Sequence, residues 1–228
     1  MSAAASSFAT FRALVRLFAL RLGDTRLAKL ARVASLAIAI FAGIMIGVVR
    51  ATDGASAPTA SVAVSATRIS MWLVAIVIAL AASHQRGVTD RRDGVEMLAL
   101  ARGFDGSRLT LVRAAAAFSL SFRWMAIPAG AATLAAMAAS GSAAVLVQRL
   151  LLVVATLVFV AVACAVLGAL GAASDSVAPR RGRTVFILVL LVSALVAEVA
   201  RDPALSVTGG LLTVFNGLLY AVGAGELA

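Results

Sequence analysis

The residues best equipped for chemistry are gathered in one stretch, His84 to Arg113, reading HQRGVTDRRDGVEMLALARGFDGSRLTLVR. It sets Arg86, Arg91, Arg92, Arg102, Arg108 and Arg113 against Asp90, Asp93, Glu96 and Asp105. These types are not spaced for catalysis. His84 is the single histidine and Cys164 the single cysteine, so no multi-ligand metal site of the usual His/Cys kind can be built. Gly-x-Ser-x-Gly, His-Glu-x-x-His and the phosphate-cradling GxxxxGK[ST] loop are all missing from the sequence. The expectation is a chain that is not an enzyme and has no catalytic, cofactor-binding or metal residue of its own. The stretch reads as a cytoplasmic device held between two membrane spans.

The stretch also carries helix punctuation. Asp93 can cap an N-terminus, and Glu96 three residues on gives an Asp variant of the capping box. Gly103 supplies a stop that tolerates the left-handed conformation. A second start follows at Asp105-Gly106-Ser107, where a side-chain oxygen can cap a helix running into the next apolar run. The spacing predicts a short surface helix, a sharp turn and then a long helix.

What flanks this stretch is apolar. Of 228 residues, 62% are hydrophobic and only 13% charged, and the mean hydropathy is +1.05. A soluble domain of this length needs more charged surface. The fold class expected is an all-α integral membrane protein. The net charge of +10 could suggest nucleic acid, but the arginines stand at the ends of apolar runs. That placement is the topology pattern of membrane spans and argues against a nucleic-acid partner. Cys164, within an apolar run, reads as a small buried hydrophobe.

Residues 1–28 lack the short apolar core of a signal peptide, because Arg12 and Arg16 interrupt it. Phe8, Phe11, Val15, Phe18 and Leu22 instead recur at helical spacing, with Arg12 and Arg16 to one side. This predicts an amphipathic interfacial helix, apolar face in the lipid and arginines toward phosphates; packing on a protein core is the alternative. Residues 29–228 then offer six apolar runs as candidate transmembrane helices, at about 30–49, 64–83, 109–139, 145–172, 184–199 and 205–222. Pro128 is placed to kink the third. Arg123 lies within that run, as a possible contact for an anionic substrate or lipid headgroup along a substrate path. With the N-terminus inside, segments 1–32, 84–113 and 173–183 hold 15 of the 20 Lys and Arg residues. The bias predicts cytoplasmic N- and C-termini. The halves share no convincing repeat, against the inverted-repeat carriers.

An amphipathic N-terminal helix, six spans and a short helix after the second resemble the permease subunits of type-2 ABC exporters (the ABC-2 family). That family's loop reads loosely R-x-x-G-x-x-E-x-L-L-x-x-P-x-S-R, leading into the third span. This chain has Arg92-Asp93-Gly94-Val95-Glu96-Met97-Leu98-Ala99-Leu100, then Ser107-Arg108. It departs in having glycine two residues before Glu96, and Gly103-Phe104 where proline is usual. The resemblance implies that residues 1–28 are an elbow helix and that about 90–108 hold a coupling helix. That helix would dock on a separate P-loop ATPase, present in two copies, which would bind the ATP and magnesium. Val95, Leu98 and Ala99 would form an apolar knob, and Asp93, Glu96, Arg102, Asp105, Ser107 and Arg108 its polar contacts. A second copy or a different permease would complete the transporter, in a bacterial cytoplasmic membrane. In the family, part of the region after the fifth span can be re-entrant. The alternatives are an ATPase-independent carrier and a membrane scaffold or assembly protein.

Overall fold

The computed structural model describes residues 3–53, 58–84, 94–101, 103–139 and 143–227. Every regular element among them is helical. A chain surrounded by hydrocarbon has no water for its N–H and C=O groups, and helices satisfy them within each segment. In order these are α1 (Ala3–Gly23), α2 (Arg26–Asp53) and α3 (Thr59–Ser70), which passes through a π turn (Met71–Ala75) into α4 (Ile76–Ala82). Then come the short α5 (Val95–Ala101), α6 (Gly106–Ala138), α7 (Ala143–Val177), α8 (Gly182–Ala200) and α9 (Val207–Ala221).

Four stretches are long and apolar enough to cross a membrane: Arg26–Thr52, Thr59–Ala82, Val145–Val177 and Gly182–Ala200. The protein is therefore an all-α, membrane-embedded chain. α6 has the length, 33 residues, but carries Arg108, Arg113 and Arg123. At 15 residues, α9 is shorter than the roughly 20 a span needs.

Small residues let these helices approach closely where no hydrophobic effect drives them together. α7 runs antiparallel to α6, with Cys164 Sγ 3.8 Å from Met125 Sδ. A Cβ at Gly168 would lie 3.1 Å from the Phe118 amide nitrogen. One turn on, a Cβ at Gly171 would lie 2.5 Å from the Ala79 carbonyl oxygen. Gly182, at the start of α8, abuts the Ser83 carbonyl. These contacts gather the end of α4, the end of α7 and the start of α8 at one end of the bundle, here the basal end, with α5 and the start of α6. At the distal end, Arg50 Nη1 lies 3.4 Å from the Ala138 carbonyl.

The closing segment differs from the expected sixth span. α8 rises from the basal end, turns at Arg201 (φ 54) and folds back at Pro203–Leu205. The Val207 amide then donates to Ser193 Oγ (3.3 Å), so α9 begins two turns below the top of α8. From there it runs distally again. Phe215 stacks on Phe159 of α7 (4.3 Å between centroids), and Gln148 Nε2 donates to the Gly223 carbonyl (2.7 Å). α9 thus starts part-way down the bundle and ends at its distal end. Asp202 and Ser206 cap the two starts that make this possible, at Ala204 N and Gly209 N. Residues 223–227 therefore lie at the end opposite α1, where six full crossings would have put both on one side.

Pro128 does not break α6. It does remove the N–H that would bond the Trp124 carbonyl four residues back. The Ser35 hydroxyl of α2 donates to that carbonyl instead, at 2.6 Å. Ser35→Ala should leave the carbonyl buried and unmet, costing about 1–3 kcal/mol. In a Pro128→Ala background, the alanine supplies the N–H and the cost of Ser35→Ala should largely vanish. Thermal unfolding of the four proteins in detergent reads this cycle, and equal costs in both backgrounds would contradict it.

Candidate functional site

The described part of the charged stretch, residues 94–101 and 103–113, forms a wedge at the basal end. α5 is bounded by two glycines in the left-handed region, Gly94 (φ 66) and Gly103 (φ 78). The Gly103 amide donates to the Leu100 carbonyl (2.9 Å) and the Phe104 amide to the Ala99 carbonyl (3.0 Å). This pair of bonds is a Schellman stop, which brings the residue after the glycine back onto the helix. Phe104 is buried accordingly, in one cluster with Ala99. Asp105 then caps α6: its Oδ1 accepts from the Arg108 amide and from Ser107 Oγ, both at 2.8 Å. The Arg108 amide, and next the Ser107 hydroxyl, hold the Asp105 carboxyl below its ordinary value.

α1 closes over this wedge. Phe18, Ala99, Phe104, Leu109, Val112 and Ala116 form one buried cluster, edged by Phe11, Leu14, Val15 and Ala19. Beneath it the Arg113 guanidinium, 2% exposed, stacks 5.5 Å from the Phe18 ring centroid. The stripe of α1 therefore faces protein, which corrects the expectation of a helix lying apolar-face-down in lipid. The exposed start of α6 presents Leu109, Val112 and Ala116, and covering them buries the stripe of α1 as completely as lipid would. Arg12 and Arg16 are exposed to one side of the stripe, as their spacing predicts. The Phe8 side chain is outside the described residues.

Of the residues expected to face a partner, Asp105, Ser107 and Arg108 are exposed at the start of α6. Ala99 is not: it is 1% exposed, turned inward by the Phe104 stop. Among the described side chains of α5, Met97 is 75% exposed and Leu100 50% exposed. Val95, Glu96 and Leu98 lie on α5, but their side chains, like all of Asp93 and Arg102, fall outside the described residues. The structure thus brings α1, α5 and the base of α6 together, with Ala99 turned into their shared cluster.

Three features escaped the sequence. Arg32 of α2 and Arg123 of α6 both stack on Trp124, at 5.5 and 5.7 Å. Arg123 is therefore level with the first turns of α2, since a Cβ at Gly23, in the α1–α2 turn, would lie 3.8 Å from Leu120 one turn below Trp124. Asp175 is fully buried near the end of α7. His84 sits close enough to Arg183 that burial, and then that guanidinium, lower its pKa. Only the arginine-at-a-span-end pattern hinted at any of these. Among the described residues no group of three His, Cys, Asp or Glu could hold a metal.

Compared with protein-family models, curated proteins and solved structures, the chain matches none.

Removing the Phe18 ring should cost about 3–5 kcal/mol. Hydrogen exchange should show the loss locally: Phe18→Ala exposes the amides of α5 and the first turns of α6 while leaving α7 and α9 protected. Uniform loss across the bundle would contradict a local cluster. The cap has a pH signature as well. A carboxyl whose folded pKa is depressed stabilises above its unfolded value of 3.8, and the contribution is lost as pH falls through the folded value. The Ser107 and Arg108 amides should stay protected at neutral pH and fray at about pH 2; in Asp105→Ala they should fray throughout.

Proposed function

We propose that this chain is the membrane-spanning permease subunit of an ATP-driven exporter of the ABC-2 type. It would work without chemistry of its own, moving substrate as a separate ATPase hydrolyses ATP. The basal end, where the Lys and Arg excess lies, faces the cytoplasm. The six-run layout becomes five crossings (α2, α3–α4, α6, α7 and α8) with α9 as a re-entrant closing segment.

One observation carries the reading. α5 offers Met97 and Leu100 outward while its inner face is fixed to α1 and α6 through Phe18, Ala99 and Phe104. A push on α5 is delivered to α6, and through the Gly168 contact to α7. A solvated loop serving only topology has no need of an exposed apolar face on a helix held between two glycine turns. The exposed carboxylate of Asp105 and the guanidinium of Arg108 add charges that fix the register of a partner. ATP and magnesium belong to that partner, whose closure would tilt a pair of permeases between inward- and outward-facing states.

The buried Asp175 gives a second reading some support, an ATPase-independent carrier whose transport depends on a buried acid. The two part in one experiment. Wild type, Met97→Asp, Leu100→Asp, Glu96→Arg and the distal control Arg201→Ala are affinity-purified from mild detergent, and bound ATPase is identified by its P-loop and ATP hydrolysis. A P-loop ATPase should accompany wild type and the control and fall at least about tenfold with the α5 variants, since losing a buried contact at a docking hot spot costs about 2 kcal/mol. Wild type alone with no ATPase, or equal recovery from every variant, would contradict the proposal.

A further inference from the structure

The distal end holds a cavity of about 290 Å³ walled by Pro58, Gln148, Arg149, Leu152, Glu226 and Leu227, with Ala60, Gly223 and Ala224 between them. It is closed on one side by the chain's last turn. Gln148 Nε2 donates to the Gly223 carbonyl (2.7 Å), and Arg68 Nη2 donates to Asn216 Oδ1 (2.8 Å) and the Leu227 carbonyl (3.4 Å). Those bonds, through its Nη2, make Arg68 the fastener of that wall. Arg149 is used differently. Its Nη1 is buried and has no hydrogen-bond partner, although the Glu226 carboxylate lines the same cavity. A cation held in a part-buried site without its acceptor is costly, and the acceptor it lacks is an anion. Glu226, an exposed residue of the same lining, offers its carboxylate to a cation.

We propose that this cavity binds a zwitterion, its anionic group on Arg149 and its ammonium on Glu226. The volume stands at the low end of small-molecule pockets, about 300–1,000 Å³, which suits a headgroup-sized ligand. Leu152 and Ala60 line the remainder with apolar surface, matching the carbon linker between the two charges. A phosphate joined to an amine by a short linker has this pattern, whether on a lipid or free in solution. The single charge of an anionic headgroup satisfies Arg149 and leaves Glu226 facing it unpaired.

The test uses the full chain purified in detergent, with retained lipid counted by native mass spectrometry after incubation with phosphatidylethanolamine or phosphatidylglycerol. Wild type should retain phosphatidylethanolamine at least about tenfold better, the worth of one charged hydrogen bond. Arg149→Gln should lose it by a similar factor, and Glu226→Gln should bind both lipids alike. Arg201→Gln, a distal arginine outside the cavity, should behave as wild type. Soluble phosphoethanolamine decides the source: binding of it without the lipid assigns a free zwitterion, and retention of the lipid against it assigns a headgroup. Arg149→Gln binding as well as wild type would overturn the site, as would neither molecule binding. Wild type taking phosphatidylglycerol as readily as phosphatidylethanolamine would overturn the role given to Glu226.

Discussion

A single carbonyl, that of Trp124, sets how this bundle is assembled. Inside a bilayer no water can meet a backbone oxygen left free by proline. Pro128 frees that oxygen, and only a neighbouring side chain at hydrogen-bonding distance can satisfy it. Ser35 does so from α2 at 2.6 Å, which fixes the rotation of both helices and their relative height. With α2 and α6 registered there, Arg32 and Arg123 fall on either part of the same indole. α1, which precedes α2 by a two-residue turn, is then delivered onto the lower half of α6. The Phe18 cluster follows from that placement.

The upper and lower halves of α6 are held by different physics. Above Trp124, packing rests on small residues: Ala129, Ala132 and Ala136 are buried against neighbours. Dispersion over a close, smooth contact replaces the hydrophobic effect there. Below Trp124, larger side chains return, with Phe18, Phe104 and Leu109 excluding water in the ordinary way. A helix long enough to belong to both regimes can pass a displacement from one to the other. At 1.5 Å per residue, Gly106 lies about 27 Å below Trp124, so α6 is continuous from the basal wedge into the upper half of the bundle.

Much of this was legible in the sequence, and the gaps have physical causes. The membrane class followed from composition, and the caps at Gly103 and Asp105 are local chemistry that needs no tertiary knowledge. The stripe of Phe11, Val15, Phe18 and Leu22 was equally plain, but a periodic apolar face says only that it must be covered, not by what. Lipid and the base of α6 are indistinguishable to it. Ala99 was misplaced for a related reason: in a seven-residue helix nearly every apolar residue fits some face, and Phe104, beyond its end, decides which one turns in. The run at 205–222 is apolar enough to cross, but its depth of entry is set by the Ser193 bond to Val207, a contact between segments that no spacing encodes. Arg149 and Glu226, 77 residues apart in the chain, meet for the same reason.

The central claim is that the basal wedge and the closing segment face opposite sides of the membrane. Cys164 is buried and is the sole cysteine, so a Cys164→Ala background allows single reporters at Met97 and Glu226. Both are exposed side chains, at the basal and distal ends. In intact cells, a membrane-impermeant maleimide should label Glu226→Cys at once and Met97→Cys only after permeabilisation. Labelling of both positions from the same side would contradict the part-way start of α9.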